Sequence, residues 1–455
     1  MPNKWRKRSM KKFQVAYIPI GVPTFHLESA QKEFDRSAEL LRSITEDVVV
    51  PEEMLLSLDL LKKFVERLQP DLIVLQNITF ANAAYASEVL ARFDCPILLW
   101  TLREPVIDGG RLRLNSLTGA YSAANAIREF REEPFTYVFG SPDEEEVIAM
   151  VTAAIRASKL KAAMKELRLA AVGHTPQGFG FGRALDVDML KTFGVRMESV
   201  EARELIDKAK AFSDEDITEY LDDAQDRMCG LENTPEKNRL DFARLYRAYK
   251  EYVTENPIGA LASRCWPDFF TAFGTPVCAV LAILNDLGIA ASCEADAYGA
   301  LSMYLGMELT DPPVFFGDPV SMDERDNTIT FWHCGTAACT LAREDTGARV
   351  DVHCNRKIGP TLDFGCRAEE KVTVFRIGRK PDGTFRFFLT VGEALDRPKQ
   401  FNGTSVVVKT VNYARQIVER SVTDGWEPHF VVIYGDVQRE LEILGNMLNI
   451  EVCRY

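Results

Sequence analysis

Two carboxylates in the second half of the chain stand where short apolar runs end. The run Ile289–Cys293 predicts a strand that Glu294 follows directly, and Val314–Phe316 leads within two residues to Asp318. In open α/β sheets ligands bind beyond the carboxyl ends of strands, so two acids delivered by successive strands can converge on one pocket. The alternative is that Glu294 caps the following helix and Asp318 opens a turn, because acids are common at helix starts.

The chain has five histidines, few enough to be weighed singly. His333 lies in FWHCG at the end of a predicted strand, and His429 opens the predicted strand HFVVIY. A histidine at the start of a strand is more often packed or capping than a ligand. Position alone therefore favours a structural role for His429.

Composition bounds the class of protein. The 455 residues are 46% hydrophobic and 27% charged, which is ordinary for a globular protein of two to four domains. A net charge of −13 argues against a nucleic-acid partner. No run of about 18 apolar residues is present, so we expect no membrane span. Residues 1–12 predict a basic tail without the apolar segment of a secretory signal.

The ten cysteines are scattered, without a CxxC pair or the spacing of a zinc motif. In a chain of this size they indicate reduced thiols, most of them small buried hydrophobes. We therefore expect a cytoplasmic protein.

Residues 13–160 alternate buried strands with amphipathic helices. This pattern predicts a first doubly wound, Rossmann-like α/β domain whose parallel sheet is covered on both faces. The first strand is followed by PIGVPTFH rather than a GxGxxG turn, so a dinucleotide is not supported.

Residues 161–318 predict a second doubly wound α/β domain, which carries both carboxylates. Its strands are expected at 169–172, 195–200, 259–263 and 289–293, and the glycine-rich stretch GHTPQGFGFG (173–182) is interpreted as a substrate-side or interface loop. Residues 319–455 have short β-branched and aromatic runs with a PDG hairpin signal. They predict a β-rich, barrel-like C-terminal domain with a terminal α/β segment.

Three segments carry a family resemblance: CEADAYGAL (293–301), FFGDP (315–319) and DGWEPHFVVIYGD (424–436). They resemble the metal-site segments of the L-fucose isomerase and L-arabinose isomerase superfamily. Carried over position by position, the resemblance implies that Glu294, Asp318 and His429 are metal ligands and that the two acids are also the catalytic acid–base pair. It further implies a homo-oligomer, expected to be a hexamer.

The physical account agrees with the resemblance. Aldose–ketose isomerisation needs one group to take a proton from carbon and another to move the hydroxyl proton, and two carboxylates can do this through an enediol. A divalent metal bound by both oxygens stabilises the negative charge of the enediolate. Carboxylates and an imidazole suit Mn²⁺, with Co²⁺ and Mg²⁺ as alternatives.

Further side chains are assigned to the sugar. We expect Trp266, in SRCWPDFF, to form a wall against its apolar face, His333 to meet a hydroxyl group, and Arg264 to bind an anionic tail, for which Arg103 and Arg367 are alternatives. Asp296 is expected to hold a group behind the ligands. Plain core packing for Trp266, an interior hydrogen bond for His333 and an ordinary salt bridge for Arg264 stay open.

The sequence thus predicts a metal-dependent aldose–ketose isomerase that acts on an open-chain monosaccharide. The sugar is either similar to L-fucose or a modified hexose such as sulfoquinovose. Two alternatives from other classes are a sugar-binding module without catalysis and a metal-dependent sugar hydrolase or aldolase. A module would bind sugar without turnover, and a hydrolase or aldolase would release a fragment.

Overall fold

The computed structural model of the protein describes residues 13–311 and 313–455. The predicted basic tail, residues 1–12, lies outside the described residues. The described chain divides into two compact units. The first unit consists of residues 13–163 with Arg439–Ile450, and the second unit consists of Met164–Gln438 with Glu451–Tyr455.

The first unit is built on a five-stranded parallel sheet in the order β2-β1-β3-β4-β5. Its strands are β1 (Val15–Ile20), β2 (Val48–Val49), β3 (Leu72–Asn77), β4 (Ile97–Thr101) and β5 (Thr136–Phe139). Its helices are α1 (Leu27–Ile44), α2 (Leu58–Val65), α3 (Ala83–Leu90), α4 (Ser116–Phe130), α5 (Glu145–Glu166) and, late in the chain, α13 (Gln438–Met447).

Helices cover both faces of this sheet, which is why its central strands are continuous apolar runs. On one face Phe34 of α1 stacks on Tyr17 of β1, with ring centroids 5.9 Å apart. On the other face residues of α2, α3 and α4 share one buried cluster with Ile18. The predicted α/β character of this part of the chain is confirmed.

The second unit begins with a four-stranded parallel sheet in the order β7-β6-β8-β9. Its strands are β6 (Arg168–Val172), β7 (Arg196–Val200), β8 (Ala260–Ser263) and β9 (Ala290–Ser292), all within one or two residues of the predicted bounds. The helices of this part are α6 (Asp186–Asp188), α7 (Ala202–Lys210), α8 (Thr218–Arg227), α9 (Glu236–Glu255), α10 (Cys278–Asp286) and α11 (Ala297–Thr310).

The rest of the second unit is an eight-stranded mixed sheet in the order β14-β17-β11-β10-β18-β15-β16-β19, in which β16 also pairs with β17. That extra pairing closes six strands into a ring, as in a barrel. The strands are β10 (Phe315–Asp323), β11 (Thr328–His333), β14 (Phe364–Gly365), β15 (Glu369–Arg379), β16 (Phe385–Ala394), β17 (Thr404–Thr410), β18 (Phe430–Tyr434) and β19 (Glu451–Arg454). The helix α12 (Ala414–Thr423) precedes β18.

Two details of the prediction are wrong. The strand expected at Val314–Phe316 continues as β10 through Asp318 to Asp323, so Asp318 lies inside a strand rather than beyond its end. Residues 348–353, one of the short runs that predict strands in the C-terminal domain, also differ from the expectation. Only β12 (Val350–Asp351) forms there, and it pairs with β13 (Thr361–Leu362) as a separate hairpin with a loop over residues 352–360.

The helix α11 joins the two sheets of the second unit. It is buried almost all round, as its apolar sequence AYGALSMYLGMELT requires. Two glycines allow close approach: a Cβ at Gly299 would lie 2.5 Å from Phe316, and one at Gly306 would lie 2.8 Å from Ile433. The helix α11 is therefore held against β10 near its start and against β18 near its end. Among the described residues, no helix is both long and apolar enough to cross a bilayer.

Candidate active site

Glu294 lies in the turn between β9 and α11. Glu294 and Ala295 both adopt left-handed backbone conformations, with φ of 59° and 56°. Such conformations cost roughly 1 kcal/mol or more for a residue with a Cβ, and they concentrate at functional sites. Glu294 does not cap α11. That role falls to Asp296, whose Oδ1 accepts a hydrogen bond of 2.8 Å from the backbone N–H of Gly299.

The register of β10 brings His429 and His333 to Asp318. Gly317 pairs with Phe430 of β18, so the next position along the two antiparallel strands sets His429 opposite Asp318. On the other side Asp318 pairs with Trp332 of β11, and His333 follows in the same strand. Three polar side chains therefore meet where β10 changes its partner strand.

Glu294 completes this group from the α/β side. His429 Nε2 lies 2.9 Å from Glu294 Oε2 and 3.6 Å from Asp318 Oδ1. His333 Nε2 lies 4.0 Å from the same glutamate oxygen. The other oxygen, Glu294 Oε1, accepts a hydrogen bond of 3.2 Å from the indole Nε1 of Trp266. The predicted residues Glu294, Asp318, His429, His333 and Trp266 thus lie together, and we call the first four the central cluster.

His429 is fixed from behind. Its Nδ1 lies 2.8 Å from Asp296 Oδ2, and its backbone carbonyl accepts a hydrogen bond of 2.9 Å from Arg376 Nη1. Arg376, on β15, also forms an ion pair of 2.7 Å with Asp296, and both side chains are only 1% exposed. Orientation of an imidazole ligand by a carboxylate behind it is a general feature of metal sites. Asp296 therefore lies where the sequence analysis expected it.

The charges of the cluster are interdependent. Burial lowers the pKa of His429, but hydrogen bonds to Asp296 and Glu294 and the charge of Asp318 outweigh burial and raise that pKa above its ordinary value. Burial raises the pKa of Asp318, an effect that the two imidazoles only partly offset. Burial also opposes ionisation of Asp296, yet Arg376 and His429 hold the pKa of Asp296 well below its usual range.

The donor set suits a divalent metal ion. Glu294, His333 and His429 each offer one ligand atom, and these atoms all lie within 4.8 Å of one another. Asp318 supplies a further carboxylate oxygen, Oδ1, which lies 3.6 Å from Nε2 of His429. Oxygen and imidazole donors match Mn²⁺ and similar ions. Because Asp296 holds Nδ1 of His429, the other ring nitrogen, Nε2, faces Glu294 and Asp318.

Aromatic rings line the cluster on the side of the loop at residues 173–182. The rings of Phe181 and Phe179 lie 5.4 Å and 6.3 Å from the His429 ring, and Phe179 meets Trp266 edge-on at 6.0 Å. A Cβ on Gly182 would lie 2.8 Å from the Cα of Asp296, so this loop packs directly on the start of α11. The rings give His429 an apolar lining on this side, and such a lining strengthens electrostatic interactions where it displaces water.

Comparison with known proteins gives the family. No protein-family model matches the chain. A sulfoquinovose isomerase of Clostridium sp. (strain MSTE9) is 63% identical over 446 residues, which cover 98% of this chain and 100% of that protein. The chain belongs to the sulfoquinovose isomerase family. Sulfoquinovose isomerases of Priestia aryabhattai and Alkalicoccus urumqiensis are 36% and 35% identical, over 98% and 96% of this chain and 100% and 98% of those proteins.

Membership of the sulfoquinovose isomerase family makes the chain an enzyme of the isomerase class. It removes the alternative of a binding module without catalysis and that of a hydrolase or aldolase.

Arg264 is the predicted site residue that the structure does not bring to the cluster. Its Nε lies 2.6 Å from Asp268 Oδ2 and donates a hydrogen bond of 3.2 Å to the backbone carbonyl of Trp266. The guanidinium is thus engaged by an acid, which matches the salt-bridge alternative.

Sequence reasoning missed two features of this member of the sulfoquinovose isomerase family. Arg376 stands in the otherwise apolar run VTVFRIG, and a lone arginine in such a run is the signal of a buried charge with a partner. Three buried thiols, of Cys278, Cys293 and Cys334, also lie within 4.8 Å of one another directly behind Glu294 and His333. No local spacing could have indicated this, because the three cysteines come from different elements. All ten cysteines are free, and most are buried.

Proposed function

We propose that the protein is a metal-dependent aldose–ketose isomerase that converts sulfoquinovose, the 6-deoxy-6-sulfo form of glucose, into its 2-ketose through an enediol. The observation that carries the proposal is the convergence of Glu294 and Asp318 on one face of His429, in a chain 63% identical to a sulfoquinovose isomerase. Two acids at one imidazole provide the proton-transfer groups that the reaction needs.

Glu294, Asp318 and His429 are the proposed metal ligands, with His333 beside them, and Mn²⁺ is the ion that this donor set favours. A divalent ion bound there would stabilise the negative charge that develops on the oxygens of the first and second carbons. Glu294 Oε1 accepts the hydrogen bond from Trp266, so Glu294 Oε2 is the oxygen that would bind the ion. His429 would bind the ion through a deprotonated Nε2, and the hydrogen bonds to Asp296 and Glu294 that raise its pKa oppose loss of that proton until the ion is bound.

The carboxylates move the protons. One of them takes the proton from C2, the C–H electrons form the C1–C2 double bond, and the carbonyl oxygen on C1 gains a proton. Removal of the O2 proton then returns the electrons, and C1 is protonated to give the ketose. Burial raises the pKa of Asp318, which brings its proton affinity closer to what a general base needs near neutral pH.

The wider assignment extends from the same residues. The segments around Glu294, Asp318 and His429 support placing the protein in the L-fucose isomerase and L-arabinose isomerase superfamily. By that resemblance we propose a homo-oligomer, specifically a hexamer. Ten free thiols support a reducing compartment, and we propose the cytoplasm.

The test is isomerisation in D₂O. The purified protein is incubated with Mn²⁺ and sulfoquinovose, and the expected product is a ketose of unchanged carbon skeleton that carries deuterium on C1. L-fucose serves as the comparison sugar and is expected to react far more slowly. A protein that binds Mn²⁺ but neither forms a ketose nor exchanges deuterium with sulfoquinovose would show that the proposal is wrong.

A further inference from the structure

The sulfonate group of the substrate must meet a cation or several hydrogen-bond donors, because burying an unpaired anion is costly. The guanidinium of arginine presents a planar fork of N–H donors that matches such oxyanions. The arginines first considered for this role all have acidic partners. Arg264 lies 2.6 Å from Asp268, Arg103 lies 2.7 Å from Glu144, and Arg367 lies 3.4 Å from Glu369.

Arg356 is different. Its guanidinium carbon lies 5.1 Å from the ring centroid of Trp266 and 5.1 Å from that of Phe270. The residue is exposed. No carboxylate forms an ion pair with Arg356 within residues 13–311 and 313–455, whereas Arg264 pairs with Asp268. A positive charge is therefore held by two aromatic faces while its N–H donors remain available.

The hairpin loop holds Arg356 in this position. His353 Nδ1 accepts hydrogen bonds from the backbone N–H groups of Asn355 and Arg356, at 3.2 Å and 3.4 Å. The backbone N–H of His353 donates to the carbonyl of Ile358 at 2.9 Å, and the His353 ring packs edge-on against Phe270 at 5.1 Å. The loop between β12 and β13 is thus tied to the aromatic surface on which the guanidinium stacks, so little order has to be gained on binding.

Trp266 connects this charge to the central cluster. The indole donates its Nε1–H to Glu294 on one side and carries the Arg356 guanidinium over its face. An open-chain hexose with C–C bonds of ~1.5 Å places a sulfonate on C6 roughly 8 Å from C1. That length is comparable with the path from Glu294 across the Trp266 indole to Arg356, which joins a hydrogen bond of 3.2 Å and a stacking distance of 5.1 Å.

We propose that Arg356 binds the sulfonate of the substrate while Glu294 and its neighbours in the cluster bind the reacting end, with Trp266 as the spacer between them. The inference rests on the proposed function, since it concerns the anionic tail of the same sugar. Arg356 thereby takes the role first expected of Arg264. Arg264 pairs with Asp268, whereas the charge of Arg356 is free to meet the substrate.

The test is a kinetic comparison of Arg356→Gln and Arg356→Lys with the wild-type enzyme, on sulfoquinovose with saturating Mn²⁺. Loss of a charge-assisted hydrogen-bond pair is expected to raise KM by about 10- to 100-fold. The value of kcat should stay within about threefold, because the proton-transfer groups are untouched. Arg356→Lys keeps the charge without the fork and is expected to recover part of the loss.

Two controls separate the explanations. Arg420→Gln removes the same charge from an exposed arginine that stacks on Tyr455, 4.8 Å from the ring centroid, and should leave KM at the wild-type value. The dissociation constant of Mn²⁺ should be equal in all variants, which shows that the central cluster is intact.

The outcomes are distinct. A wild-type KM in Arg356→Gln, or an equal rise in Arg420→Gln, would overturn the assignment of Arg356 and leave the proposed function standing. Wild-type protein that forms no ketose from sulfoquinovose would overturn the proposed function and the assignment together.

Discussion

Replacing Asp296 by asparagine isolates the charge behind the His429 imidazole. Asparagine has the same shape and is an equally good N-cap, so the hydrogen bond to the backbone N–H of Gly299 is retained. What is lost is the negative charge between Arg376 and His429, which lie 2.7 Å and 2.8 Å from the carboxylate oxygens. We therefore expect an effect of charge and orientation rather than of packing.

The magnitude follows from burial. Arg376 is 1% exposed, and its remaining acidic neighbour, Glu427, lies 3.9 Å away. Breaking a buried ion pair from one side costs about 3–5 kcal/mol. We expect a melting temperature lower by roughly 5 °C or more. Loss of the carboxylate that orients a histidine ligand weakens metal binding by about 10- to 100-fold.

Thermal melting and Mn²⁺ titration calorimetry measure the two effects separately. The matched control is Asp188→Asn, which breaks a partly exposed ion pair of 2.9 Å with Arg379. Such pairs contribute at most about 1 kcal/mol, so both readouts should stay near wild type. An Asp296→Asn protein with wild-type melting temperature and Mn²⁺ affinity would refute the reasoning. Reduced stability with unchanged Mn²⁺ affinity would refute the orienting role alone.

Three further results are expected. Glu294→Gln should lower kcat by at least about 10²-fold with an unchanged melting temperature, because the amide oxygen can still accept from the Trp266 indole; residual activity above a tenth of wild type would contradict the assignment. Removal of metal by a chelator should abolish turnover. Mn²⁺ at 100 times its dissociation constant should restore turnover and add about 2.7 kcal/mol to the free energy of unfolding. Full activity in the chelated protein would exclude a metal role. Gly317→Ala should cost about 1–3 kcal/mol in urea unfolding, because its Cβ would lie 2.6 Å from the Trp332 carbonyl oxygen. Gly180→Ala, at an exposed position without a positive φ and with no atom within 4 Å of the added Cβ, is its comparison, and an equal loss in both would argue against crowding at β10.

Much of the fold could be predicted because strand and helix periodicity is local. The strands β6 to β9 were expected within one or two residues, since each is a short run bounded by helix or turn signals and β6, β8 and β9 are mostly apolar. The strand β10 was cut short because Pro319 lacks an N–H donor and usually stands at an edge or bulge. The structure accommodates Pro319 through a register shift between it and Ser321.

The sequence predicted the site residues that lie in recognisable segments. It did not predict those whose role depends on neighbours that only the fold brings together. Glu294, Asp318 and His429 were found because their segments resemble a known family. Arg376 was missed, since only the fold brings β15 behind the start of α11. Arg356 was not among the arginines considered for the anionic tail, because no sequence pattern reveals that it stacks on Trp266 while Asp268 pairs with Arg264.

The hairpin that carries Arg356 is separate from the framework that holds the proposed metal ligands. The strands β12 and β13 form a two-stranded sheet of their own, whereas Asp318 and His333 belong to strands of the eight-stranded sheet and His429 directly precedes another of them. An insertion, deletion or new side chain in residues 352–360 therefore changes no pairing on which the ligands depend. On the proposed assignment, descendants of such an enzyme can diverge toward sugars with other tails by changing this hairpin, while the residues proposed for proton transfer are inherited intact.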